Sequence, residues 1–168
     1  TVVCASIASL TEGSDLSGMR CISGSVLSGK AINADGFIGS YESQITIIPE
    51  GGQRKILGWL VPGLNSYTFS NTFASVIAPK ESYSLDADKN GGDRAIVCNH
   101  LFDQYTPLDI PVYFLLKAVL SNDIEEAESM GILEVDEEDF ALCTFACPSK
   151  TEVGSIIRQG LDTIEKEG

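Results

Sequence analysis

A change of hydrophobic period near residue 98 limits what this chain can become more than anything else in it. Before that point, short runs of β-branched and aromatic residues are broken by glycine and proline. After it, apolar residues recur at three- and four-residue spacings behind helix-capping signals. That order predicts an α+β fold with a β-rich lobe over 1–98 and a helical domain over 99–168.

Within the first lobe, Arg20–Gly29 reads as a strand. Gln44–Ile48 and Arg54–Trp59 flank Pro49-Glu-Gly-Gly-Gln53 and predict a hairpin. Val61-Pro62-Gly63 is a turn signal, and Tyr67, Phe69 and Phe73 read as a further strand. Ala87–Gly92 reads as a polar loop, and Arg94–Cys98 as a short strand. In the second lobe, Asp109 is placed to cap a helix over 109–120, with Pro111 in its first turn. That helix is apolar nearly all round and is expected to be buried. Asn122-x-x-Glu125 forms a capping-box pattern for a helix ending before Gly131, and 136–144 reads as another helix. Ser149-x-x-Glu152 repeats the box ahead of Val153, Ile156, Ile157, Leu161 and Ile164, one face of a last helix that Gly154 and Gly160 weaken.

Charge excludes some functions. The net charge is −13, and residues 1–84 hold five basic and six acidic residues, so residues 85–168 carry −12 of it. From Ser121 to Phe140 there are nine acidic residues and no basic one. Such a charge argues against nucleic acid and against docking on anionic lipid. The acidic run reads as a solvated face or as a surface for a basic partner. The longest apolar run, Ile110–Leu120, contains Lys117 and has 11 residues, whereas a membrane span needs about 20. Thr1–Ile7 lacks the basic start of a signal peptide and reads as a strand from within a longer protein. Five cysteines at irregular spacing fit reduced thiols better than a disulfide framework.

Several motifs tempt a reading of chemistry. Gly24-Ser-Val-Leu-Ser-Gly29-Lys30 lacks the following Ser or Thr of a phosphate-binding loop, having Ala31 instead, and Val26-Leu27 reads as strand. Asp86-x-Asp88-x-Asn90-Gly91 opens like a calcium loop, but its twelfth position is Val97 rather than Glu. Cys98 and His100 share one side of an extended segment, which supplies at most two metal ligands. The alternative for His100 is an ordinary, partly buried histidine. No nucleophile elbow and no paired carboxylates stand out.

The most specific motif is Cys143-Thr-Phe-Ala-Cys147-Pro148, the second half of a four-iron four-sulfur ferredoxin run. The two thiolates expected upstream are replaced by Phe140 and Glu137. Phenylalanine ligates nothing, and a carboxylate suits a soft cluster poorly. Cys143 and Cys147 share one face of a helix. They read either as two small buried hydrophobes or as a two-thiolate metal or redox pair.

Taken together, the segments Ile22–Gly29, Leu57-Gly-Trp59 with Pro62-Gly63, Tyr105-x-Pro107-Leu-Asp-Ile110 and Glu134–Asp139 running into Ala141–Lys150 resemble one family. It is the A subunit of the bacterial sodium-translocating NADH:quinone oxidoreductases. The chain is similar to its C-terminal part, and Thr163–Gly168 resembles its natural end. The resemblance implies a peripheral, cytoplasm-facing component of an inner-membrane complex that oxidises NADH, reduces ubiquinone and exports sodium. It implies kinship with the C subunit of the Rnf complex and with the NADH-binding flavoprotein of respiratory complex I. It implies a soluble-ligand-binding β-grasp domain followed by a cluster-less helical domain. The expected partners are the other subunits, membrane subunits included, with quinone as a further candidate. NADH, flavins, iron and quinone belong to the complex as a whole. None has a binding residue assigned in this chain, and Glu137, Phe140, Cys143 and Cys147 are vestiges. The competing expectation is a free β-grasp module for a small ligand.

Overall fold

A three-stranded antiparallel sheet begins where small residues permit tight reversals. In the computed structural model, Met19–Ser23 (β1) turns back into Lys30–Ile32 (β2), and Ile45–Pro49 (β3) pairs with the other side of β1. The strand order is β2-β1-β3, with Cys21 opposite both Ile32 and Ile47. The structure describes residues 5–12, 14–52, 57, 58, 60–90, 92, 94–97 and 100–167. The chain divides into two compact units, Thr1–Asp88 and Lys89–Gly168.

In the first unit, β1 is central, and Cys21, Ile22 and Ser23 are buried whichever face they point to. A short helix, Ile7–Leu10 (α1), adds Ile7, and a bridge between Ser6 and Phe37 ties the two neighbouring segments together. The expected strand through Gly29 ends at Ser23. Ser25–Ser28 forms a turn because Gly24 takes φ 103°, which a residue with a Cβ rarely adopts. Val26 and Leu27 lie exposed on that turn. For the expected hairpin, residues 53–56 and 59 lie outside the described residues, and Leu57 and Gly58 are in a turn. The partner that β3 shows is β1. Tyr67, Phe69 and Phe73 do not form a strand. The segment folds on itself instead: Ala74 N–H donates to Pro62 O, and buried Ser75 donates to Ser66 O.

Among its described residues, the second unit holds five helices and two 3-10 turns: Leu101–Tyr105 (α2), Val112–Leu120 (α3), Ile124–Ser129 (α4), Ala141–Ala146 (α5) and Val153–Glu167 (α6), with turns at Ile132–Glu134 and Glu137–Phe140. Its core gathers Phe102, Leu115, Leu116, Val119, Ile132, Phe140, Val153 and Ile157. Cap positions differ from the sequence pattern. α3 starts after Pro111 with no side-chain cap, so Asp109 is not its N-cap. Asn122 takes φ 59° at the end of α3, leaving Asp123 to accept the Glu126 N–H as the cap of α4. Ser149 donates to Ala95 O instead of capping α6. Residues 94–97 are irregular, and Cys98 lies outside the described residues. The expected helix over 136–144 is a 3-10 turn closed by an Asp136/Asp139 capping box, followed by α5.

α3 is buried on one side only, leaving Phe114 57% and Leu120 50% exposed. α6 packs through the predicted face: Val153 and Ile157 are buried, and Ile156, Leu161 and Ile164 lie against the core. Gly160 is buried too. A Cβ there would sit 2.6 Å from Ile132 Cδ1 and 2.9 Å from Val119 Cγ2. The glycine that lowers helix propensity is therefore what lets α6 approach α3.

Candidate functional site

The cysteine motif sits at the junction of α5 and α6. α5 carries Cys143 and ends at Ala146. Cys147 is extended, as the residue before a proline tends to be, and Pro148 breaks the chain before α6. Cys143 is fully buried, Cys147 is 2% exposed and Phe140 is fully buried. All three belong to the apolar core.

The surroundings of Cys143 favour a thiol over a thiolate. Its Sγ lies 3.3 Å from Thr106 Oγ1 and 3.6 Å from Phe102 O. The Thr106 hydroxyl donates to that same carbonyl at 2.9 Å, so solvating a thiolate would mean giving that bond up. Burial pushes the Cys143 thiol up from its ordinary value. The Thr106 hydroxyl pulls it down by less, and Asp103 and Cys147 add to the upward push.

The two positions at which a ferredoxin run would carry cysteines are engaged in other contacts. Phe140 fills core volume. Glu137 Oε2 accepts from Arg158 Nε at 3.0 Å, and Asp136 Oδ1 accepts from Arg158 Nη2 at 2.7 Å. This fork ties the 3-10 turn to α6. An iron–sulfur cluster of this kind takes four thiolates. Two buried cysteines, a phenyl ring and a guanidinium-bound carboxylate do not fit that need. Thr106 and Arg158 were not singled out by sequence. Thr106 gives no signal, whereas Arg158 is a basic residue of α6 whose partners lie in the acidic run.

The other motifs are occupied as well. In the phosphate-loop look-alike, Leu27 and Ser28 N–H donate to Ser25 Oγ, Gly29 N–H to Ser25 O and Gly24 N–H to Gln44 O. A Cβ on Gly24 would meet the Glu42 carboxylate at 2.6 Å, a further obstacle to an anion. In the calcium look-alike, the Asp88 carboxylate accepts the Gly52 N–H through both oxygens, and Gly91 lies outside the described residues. His100 is exposed rather than partly buried, because it stands just before α2, 3.6 Å from Asp103. Among the described residues, no three His, Cys, Asp or Glu side chains group to hold a metal. A cavity of about 10 Å³ lies between α3, α4 and α6, lined by Val119, Ala127, Ile132 and Gly160. That is room for about one water molecule.

Comparison with known proteins points one way. The chain is 41% identical over 170 residues to the A subunit of the Na(+)-translocating NADH-quinone reductase of Shewanella frigidimarina, covering all of this chain and 38% of that protein. It is 44% identical over 168 residues to the corresponding protein of Hahella chejuensis, covering 98% of this chain and 37% of that protein. For Rhodopirellula baltica the figures are 42% over 151 residues, 89% and 33%. The chain thus spans between a third and two fifths of the curated relatives it matches. No family profile matches it.

Proposed function

Since the chain belongs to the family formed by the A subunit of the Na(+)-translocating NADH-quinone reductase, we propose that it serves such a complex as a docking part with no redox centre of its own. The observation that carries this reading is the cysteine site. Its thiols are buried, its third ligand position is a core phenylalanine and its fourth is spent on Arg158. Electrons from NADH to quinone then travel through other parts of the complex, where flavins and iron reside.

In this reading the first unit is a β-grasp-like module of the soluble-ligand-binding type, and its three-stranded sheet supports that assignment. The second unit is a ferredoxin-like helical domain without its cluster, supported by the Cys-x-x-x-Cys-Pro remnant between two helices. Its partners are the other subunits, membrane subunits among them, with quinone as a candidate neighbour of the first unit. The chain sits peripherally on the cytoplasmic face of the inner membrane. No described helix is long and apolar enough to cross a membrane, which suits that position.

Affinity purification of the tagged, intact protein from detergent-solubilised bacterial membranes tests the reading. The expected result is co-elution with flavin-containing membrane subunits that carry NADH:quinone activity. Recovery alone from the soluble fraction would overturn it and favour a free small-ligand-binding module.

A further inference from the structure

Between Lys55 and Lys80 the chain runs for 24 residues, 56–79, without a charged side chain. The window widens to Gly51–Lys80 without an acidic residue, and it contains Arg54, Lys55 and Lys80. A local charge of +3 thus sits inside a chain of −13. Of the bounding acids, Glu50 is already paired with Arg20, and Glu81 follows directly on Lys80.

Within the described part of this stretch, Ala74 N–H donates to Pro62 O, Ser66 N–H to Gly63 O, and buried Ser75 Oγ to Ser66 O. The Phe73 ring lies where a Cβ on Gly63 would be, which brings the two legs of the loop together. Meanwhile Leu60, Val61, Leu64 and Val76 are about half exposed, and Ile77 is 87% exposed. Apolar side chains gathered and exposed on one loop are suited to an apolar surrounding. Basic residues beside uncharged apolar and aromatic ones are what the boundary of an anionic bilayer selects.

We propose that the 57–80 loop is a membrane-surface anchor: Leu60, Val61, Leu64 and Ile77 enter the acyl boundary of an anionic bilayer while Lys80 meets the headgroups. The proposal stands on the loop itself and does not depend on the complex assignment.

The test is flotation of the 168-residue chain with vesicles of phosphatidylethanolamine and phosphatidylglycerol, against vesicles of phosphatidylcholine alone. Binding is expected to the first and to be weaker to the second. Leu60→Asp with Leu64→Asp should weaken it by about tenfold or more. Lys80→Gln should remove much of the preference for phosphatidylglycerol, and Phe114→Asp, on the other unit, should change nothing. Circular dichroism confirms that each variant is folded. No binding, or binding unaffected by the paired Leu substitutions, overturns the proposal. So does self-association in lipid-free buffer that the same substitutions abolish, which would make the loop a contact between copies.

Discussion

Burial pushes the Cys143 thiol up from its ordinary value, and this has measurable consequences. Its titration is raised in the folded state, so it contributes stability that is fully present below the ordinary thiol value of about 8.5. Above that pH the unfolded chain loses the proton first, and stability falls as pH rises toward the folded value. Thermal unfolding followed from neutral to alkaline pH should show this fall, and Cys143→Ser should reduce it. At neutral pH, Cys143 and Cys147 should react with iodoacetamide far more slowly in the native chain than in denaturant, as mass spectrometry would show. Phe140 sets the contrast. Phe140→Ala empties core volume and should destabilise by about 3–5 kcal/mol in urea titrations. A loss below about 1 kcal/mol would mean that the ring does not carry the packing assigned to it.

Among the helices and strands, α6 shows most clearly what the sequence could reveal. Its buried face was readable from the spacing of Val153, Ile157 and Ile164, because the apolar period and the core contacts coincide. Its cap was not, because Ser149 is drawn to the Ala95 carbonyl, 54 residues away in the chain. The start of α4 moved by one residue because Asn122 adopts the left-handed region and Asp123 caps instead. The apolar residues at 67, 69 and 73 look like a strand, but two tyrosines, Tyr67 and Tyr83, meet edge to face at 5.7 Å and the segment folds locally. In the candidate site, the sequence alone showed that Phe140 and Glu137 are not thiolates. The roles of Thr106 and Arg158 depend on contacts across 37 and 21 residues that periodicity cannot supply. Gly160→Ala tests helix approach against helix propensity. Alanine gains up to about 1 kcal/mol of propensity. It also drives a methyl into Ile132 and Val119, a loss of about 1–3 kcal/mol. A net loss of stability in chemical denaturation is expected, and a net gain would show that α3 and α6 are not held this close.

Across the full chain, residues 85–168 carry −12 of the charge, whereas residues 56–79 hold no charged side chain. The acidic run itself is not uniform. Glu137 is engaged with Arg158, and Asp139 closes the capping box with Asp136. Reversing the charge of those residues would disturb the turn as well as the surface. Glu125, Glu128 and Glu138 are exposed and give a cleaner probe. Changing all three to Lys in the intact protein should lower the yield of assembled complex. An unchanged yield would make the acidic run a solvated face only.

Everything proposed for the second unit turns on a remnant cysteine motif that packs and does not conduct. NADH:quinone turnover of the purified complex whose A subunit carries Cys143→Ser and Cys147→Ser puts that to the proof. Near-normal turnover per assembled complex is predicted, with a lower melting temperature of the substituted protein. A fully assembled complex that has lost turnover would contradict this and return the two cysteines to the electron path.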